Sequence, residues 1–362
     1  EAGLLLAAET SSGGEEAASV ADARTHRVLI ATTRARDDRP GALFGGERST
    51  TLDFAKASIS VPPSHVKGQI EWPSQGTGDP RKNFVARATD YLDGEKAFVA
   101  ALDRELSGRP PGQRRVIVFI HGYNTMFAEG LYRFVQIVDD AESPALPVHF
   151  SWASRGKVAG YVYDNNSATV ARDGLERTLR LIGASKAERV DILAHSMGNW
   201  VTVEALRQIR ISGDIPNAKK VGSIVLASPD IDIDVFKSQM RRIGRPARPF
   251  FVVLSRDDRA LGLSRVLAGD KDRVGDYRNA EELTELGAVV IDLTDVKGAD
   301  SANHAKFAEI ADVGPRLRQV LERGVGGPKV AIGDEGVPGQ AAALLSLPIK
   351  VIAAPIRVVA DQ

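Results

Sequence analysis

Two hydrophobic periods alternate along the chain. Short, nearly continuous apolar runs occur at Val116 to Ile120, Val148 to Trp152, Val190 to Ala194, Ser223 to Ala227, Phe250 to Leu254 and Ala288 to Leu293. Between and after them lie amphipathic stretches that predict helices: Ala128 to Asp139, Ser167 to Ile182, Trp200 to Ile209, Val235 to Arg242, His304 to Ile310 and Arg316 to Arg323. Strands apolar on both sides, alternating with helices, predict an α/β fold whose mostly parallel central sheet carries helices on both faces. Upstream, RVLIATT and ISVPP between Arg27 and Val61 read as two short β-like runs, followed by a loop-rich stretch around Pro73, Gly76, Gly78 and Pro80. Phe98, Leu102 and Leu106 mark one face of a helix over Gly94 to Leu106, which Gly108, Pro110, Pro111 and Gly112 bring to an end.

This pattern divides the chain into a flexible N-terminal tail (1–24), an N-terminal elaboration packed on the core (25–112), the core itself (113–323) and an apolar C-terminal strap (324–362). Pro348 and Pro355 prevent one continuous helix in the strap, and Lys350 and Arg357 oppose deep bilayer burial. The strap is expected to fold back on the domain, with an oligomer or membrane-surface contact as the alternative.

Composition narrows the chemistry. Forty-seven basic and 47 acidic residues leave no net charge among 362 residues, so no global field draws the chain to nucleic acid or anionic lipid. A hydrophobic fraction of 43% excludes disorder over most of the length. The absence of cysteine removes disulfides, thiolate catalysis, Cys-ligated zinc and iron–sulfur clusters. No apolar run approaches the ~18 residues of a membrane span. The first residue is Glu1 and Leu4 to Ala8 is short for a signal core, so a leader removed upstream is an expectation, and with it a cell-envelope or exported location.

The strongest local signal is Ala194-His195-Ser196-Met197-Gly198, between a buried-type strand and a helix. Such an elbow strains its central residue and projects the Ser hydroxyl outward, so the positions two before and two after must be small. Gly198 satisfies this and Ala194 is the next smallest choice. Helix capping is the alternative use of such a serine. A serine nucleophile needs a base, and in this architecture the chain order is Ser, acid, His. His304 is the only histidine after Ser196. His195, on the turn beside the serine, is expected to point away and to pack. The acid belongs in a loop at the carboxyl end of a strand, and Asp258 after FFVVL is the first choice; Asp257, Asp230 and Asp232 are the alternatives, with N-capping their other use. Oxyanion donors are expected from the amides of Met197 and of Tyr123 in His121-Gly122-Tyr123-Asn124-Thr125, with Asn124 as substitute for Tyr123.

VFIHGYNT, FSWAS, GYVYDNNSA, ILAHSMGNW, LASPDID and SRDDRAL, with VLIATTR, FGGERS and SVPPSHVKGQIEWP upstream, resemble a bacterial α/β-hydrolase family of largely unknown function, often described as esterase-like. The resemblance runs to about His304. It implies an α/β-hydrolase fold, Ser196 as nucleophile and the turn at Tyr123 as oxyanion loop, and Asp258 and His304 match by motif and order. An envelope or exported location holds for some members.

These readings together predict a serine hydrolase that cleaves carboxylic esters, small or lipid-like, through an acyl-enzyme. An acyltransferase or an amide or thioester hydrolase on the same residues is the alternative, and a non-catalytic binding scaffold is the rival from another class. No cofactor and no metal are expected, because neither a glycine-rich nucleotide motif follows a predicted strand nor a His-Glu-x-x-His pattern occurs. Arg241, Arg242, Arg245 and Arg248, between SIVLA and FFVVL, read as a solvated helix face, or as contacts to an anionic substrate or surface.

Overall fold

In the computed structural model, residues 23–39, 41–74, 78–213, 218–244, 250–267, 269–298, 302–309 and 349–353 are described. In chain order the main elements are β1 (Arg24–Arg36), β2 (Phe44–Val61), β3 (Val85–Leu92), α1 (Gly94–Ser107), β4 (Arg115–Ile120), α2 (Phe127–Asp140), β5 (Leu146–Ser151), α3 (Tyr161–Ala184), β6 (Arg189–His195) and α4 (Gly198–Ser212). They continue with β7 (Val221–Ala227), α5 (Ile233–Ile243), β8 (Phe250–Leu254), α6 (Arg259–Leu267), α7 (Ala280–Glu285), β9 (Ala288–Asp292), α8 (Lys306–Glu309) and β10 (Lys350–Ala353). All ten strands share one sheet, in the order β10-β9-β8-β7-β6-β4-β5-β1-β2-β3. From β9 to β1 every neighbouring pair is parallel. The edges β2, β3 and β10 are antiparallel.

The two-sided burial read from the apolar runs has a direct structural cause. Successive side chains of a strand point to opposite faces. On β4, Val118 and Ile120 join the core under α1, α3, α4, α5 and α7, while Phe119 joins the core under α2 and α8. The carboxyl ends of β4, β6, β7 and β8 therefore open on one edge between two helix layers, where a sheet of this kind places its site.

The N-terminal segment departs from its expected form. Its two β-like runs are long, 13 and 18 residues, and β1 runs parallel to β5, so the segment extends the sheet. The sequence VARATDYL gave no strand signal, since alanines alternate with polar residues, yet it pairs with β2 as the outermost strand. Within the apolar C-terminal segment, Lys350–Ala353 pair antiparallel with β9. The remainder of that segment, the helix expected at 316–323, residues 1–22 of the tail, and Arg245 and Arg248 lie outside the described residues. Arg241 and Arg242 are exposed in the last turn of α5, where cations complement the negative end of the helix.

An ionic clamp on two buried carboxylates ties the N-terminal segment to α2. Arg24 donates to Asp139 at 2.8 and 2.6 Å, and the His26 Nε2 lies 2.8 Å from the same carboxylate. His65 sits between two carboxylates, with Nδ1 2.8 Å from Glu71 and Nε2 3.0 Å from Asp140, and the Gly68 N–H donates to Asp140 at 2.7 Å. Burial opposes charge on the His65 imidazole, but the hydrogen bonds to Asp140 and Glu71 outweigh it and hold the group above its ordinary value. The Asp139 and Asp140 carboxyls are held below theirs: burial opposes this, and the His26, Arg24 and His65 partners prevail. A raised histidine stabilises the fold fully below its unfolded value of about 6.5 and loses that contribution as pH rises through the folded value. The carboxylates contribute above the usual carboxylate range and lose it in acid. Stability lost in His65→Asn, measured by urea unfolding, should therefore be largest near about pH 5.5 and shrink by about pH 9. A difference that does not vary with pH would mean that the imidazole is held neutral.

Candidate active site

β6 passes into α4 through two residues, and the turn needs a residue in the left-handed region, where Ser196 lies at φ 52°. Such a conformation costs a non-glycine residue about 1–3 kcal/mol and persists only where surrounding contacts enforce it. They do so here on both sides of the peptide. The Ser196 N–H donates to the Ala227 carbonyl at 3.0 Å, and the Ser196 carbonyl accepts from the Asn199 side chain at 2.8 Å and the Asp230 N–H at 3.2 Å. The same Asn199 amide reaches the Ala227 carbonyl at 2.9 Å. Small residues are required for a measurable reason: a Cβ on Gly198 would lie 2.3 Å from the His121 carbonyl oxygen, and one on Gly122 2.8 Å from the Ser196 Cβ. Ala194, fully buried on β6, is small enough for its place.

Asp258 and His304 meet at the same edge. Their side chains hydrogen bond at 2.7 Å between Oδ2 and Nδ1, with the carboxylate wholly buried and the imidazole 20% exposed. The other Asp258 oxygen accepts the amides of Ala260 and Leu261 at 3.0 and 3.1 Å, which caps α6. Helix capping and orientation of the histidine are thus simultaneous uses of one carboxylate. With Nδ1–H directed at Asp258, Nε2 is the basic nitrogen of the ring.

The alternative acids have other partners. Asp257 accepts from Lys306 at 2.7 and 2.9 Å and from Asn303 at 3.0 Å, fastening the loop that carries His304. Asp230 accepts the Ser264 hydroxyl at 2.6 Å and faces Arg273 at 3.3 Å, and burial pushes its carboxyl up. Asp232 caps α5 through the amides of Asp234 and Val235. His195 is half-buried, with its ring 4.5 Å from Phe307 and 4.6 Å from His304, and its Nε2 lies 3.3 Å from the His304 carbonyl. Burial, then the neighbouring His304, push His195 well below its ordinary value, so it supports the loop as a neutral donor.

The turn after β4 is held from beneath by a residue to which the sequence pattern gives no role. Arg34, on β1, is buried and donates to the Ser151 hydroxyl and to the carbonyls of Gly45, Ser154 and Thr125, each at 2.8 Å, and its Nη2 lies 3.2 Å from the His121 Nε2. Burial pushes the guanidinium down to about 9, which leaves it charged at neutral pH. His121 stacks on Trp152 at 5.1 Å, and the Trp152 indole N–H donates to the His121 carbonyl at 2.8 Å. From the side, Asp164 of α3 accepts the Asn124 amide at 3.2 Å, the Ser154 hydroxyl at 2.6 Å and the Arg155 amide at 3.0 Å. The Asn124 N–H is therefore committed to Asp164. Among the described residues, the amides of Tyr123 and Met197 donate to no protein acceptor. Asn199 and Asp164, like Arg34, hold the two turns in place.

A mostly parallel sheet with a serine at a left-handed strand-to-helix elbow, and an Asp–His pair on the same edge, is the architecture of an α/β hydrolase. The chain belongs to the family described as alpha/beta hydrolase of unknown function (DUF900), whose profile matches residues 95–323. No curated protein matches the chain. Among solved structures, an acylaminoacyl peptidase from Pyrococcus horikoshii is similar, at 13% identity and a TM-score of 0.33, over 87% of this chain and 43% of that one. This chain thus spans less than half the length of that enzyme.

Two substitutions test the packing of the edge. Ser196→Gly should raise the unfolding free energy by about 1 kcal/mol, because glycine adopts positive φ without strain. Unchanged or lower stability would mean that the turn stores none. Arg34→Lys should lower it by about 2 kcal/mol or more, since one ammonium cannot reach acceptors spread around a planar fork and leaves some of them buried without a partner. Urea denaturation reads both.

Proposed function

We propose that the chain hydrolyses carboxylic esters through a covalent acyl-enzyme on Ser196, with His304 as general base and acid and Asp258 as its orienting carboxylate. The observation that carries this reading is the Ser196 elbow opening on the same sheet edge as the Asp258–His304 hydrogen bond. In the acylation step the Ser196 Oγ attacks the ester carbonyl as its proton passes to the His304 Nε2. The negative oxygen that forms is met by the N–H groups of Met197 and Tyr123, neither of which donates to a protein acceptor among the described residues. Collapse breaks the bond to the alkoxy oxygen, which leaves as alcohol with the proton from His304. Water then repeats the sequence on the acyl-enzyme: it gives a proton to His304, forms the acid and returns the proton to Ser196. Asp258 stays ionised throughout, holds the imidazole in one tautomer and stabilises its charged form. Its second oxygen, fixed by the start of α6, keeps it from turning away.

Hydrolysis of p-nitrophenyl acetate by purified, folded variants tests the assignment. Ser196→Ala should lower kcat/KM by about 10³-fold or more, because the nucleophile is lost. Asp258→Asn should lower kcat by about 10²- to 10⁴-fold with a smaller effect on KM, while Asp232→Asn stays within about threefold of the wild type. Undiminished turnover by Ser196→Ala would place the nucleophile elsewhere, and the opposite order of the two Asp variants would move the acid to the loop after β7.

A further inference from the structure

His304 stands on a segment without regular structure. Between β9 and α8 the described residues form neither helix nor strand, and Asn303, next to the histidine, lies at φ 58°. Such a conformation persists only where surrounding contacts enforce it. The position of the ring matters as much as its hydrogen bond, because a displacement of about 1 Å near reacting atoms can cost about 10²-fold in rate.

Two residues after His304 comes Lys306, the one buried lysine among the described residues, with its side chain 2% exposed. An ammonium in such a place is costly unless its donors are matched. This one donates to both oxygens of the Asp257 carboxylate, at 2.7 and 2.9 Å, and to the carbonyls of Leu293 and Thr294 at 3.2 and 3.3 Å. Its stem lies against Gly298, where a Cβ would come within 3.1 Å of the Lys306 Cγ. Asp257 is fixed in turn by the Ser255 hydroxyl at 2.5 Å and the Asn303 amide at 3.0 Å. Burial opposes charge on Asp257, but the hydrogen bonds from Lys306 and Ser255 prevail and hold its carboxyl below its ordinary value. The Asp257–Lys306 and Asp258–His304 pairs thus run side by side between the same two segments. A methionine would fill the space of the lysine without the cost of desolvating a charge, so what the ammonium adds is the fixed geometry of the oxygens it binds.

We propose that Lys306 is a positioning residue of the reaction: by tying the segment that bears the base to Asp257 and to the end of β9, it holds His304 where Nδ1 meets Asp258 and Nε2 is left available to Ser196. The proposal rests on the assignment of Ser196, His304 and Asp258 as the reacting set and adds a residue that acts through the histidine.

Lys306→Met removes the ammonium and keeps the stem. Turnover of p-nitrophenyl acetate per folded molecule should fall about 10- to 10²-fold in kcat, with KM within about threefold of the wild type. The pKa of His304, read from the pH profile of kcat/KM and from NMR of its Cε1 proton, should fall by about 1, because a loosened Asp258 contact stabilises the imidazolium less. The sign is decisive: removing a cation, or leaving Asp257 without its partner, would by charge alone raise it. His195 and Asp230, which also act on His304, are untouched by the change. In the double variant Asp257→Asn, Lys306→Met neither charge is left without its partner, so it should fold even where the single variant does not, and show the same fall. Lys297→Met, at an exposed lysine of the same segment, should alter neither quantity. Folded variants with the kcat of an active wild type, or whose His304 titrates as in the wild type or higher, overturn the proposal. Failure of both variants to fold would make Lys306 a structural residue and overturn it too. The NMR titration needs no turnover. A wild type that hydrolyses no ester, with a His304 pKa that falls in Lys306→Met, loses the ester reading and keeps the positioning role, whereas an active wild type with an unchanged His304 loses the positioning role alone.

Discussion

The turn after β4 and the elbow after β6 lie against each other with no room for a side chain between them. Gly122 abuts the Ser196 Cβ and Gly198 abuts the carbonyls of Ile120 and His121. This contact requires both turns to keep backbone shapes that neither would hold alone, with Ser196 and Asn124 at positive φ. Arg34 and Asp164 secure one side, Asn199 and Asp230 the other. All of these groups are buried or half-buried and hydrogen bonded, so the strain is opposed by contacts that cannot relax independently.

That arrangement gives the N-terminal strands a part in the site. Arg34 comes from β1, outside the 95–323 segment that matches the family, yet its guanidinium reaches three carbonyls and a hydroxyl around the turn. A charge buried at the centre of a sheet is unfavourable unless every donor is matched. Here the acceptors come from strands β2 and β5 and from the loops after β4 and β5, so the guanidinium fixes their relative positions. The clamp of Arg24, His26 and His65 on Asp139 and Asp140 holds the same segment to α2 from its other end.

The parallel core was legible because each strand is buried on both faces and each helix on one. The strand-to-helix elbow at Ser196 and the loops that bring Asp258 to His304 were also legible, since elbow, loop and chain order are local features of sequence. β3 was not, because its alanines and polar residues suit an edge and carry little hydrophobic signal. The long β1–β2 hairpin was underestimated because its polar outer half alternates too weakly to be told from a loop. Arg34, Asp164 and Asn199 remained silent for a different reason. Their partners are backbone and hydroxyl groups brought near only by the fold, and nothing in residue type or spacing records which carbonyl an arginine will meet. Asp258 was read with capping and orientation as competing uses, whereas its two oxygens serve both.

Reaction with a fluorophosphonate tests most directly whether Ser196 is activated by His304, because the reagent needs the nucleophile, the base and the oxyanion donors but no particular ester. Mass mapping of the wild-type adduct should find it on the peptide containing Ser196, with labelling slowed by about 10²-fold or more in folded His304→Ala. An adduct on another serine, or a labelling rate that His304→Ala leaves unchanged, would contradict the account.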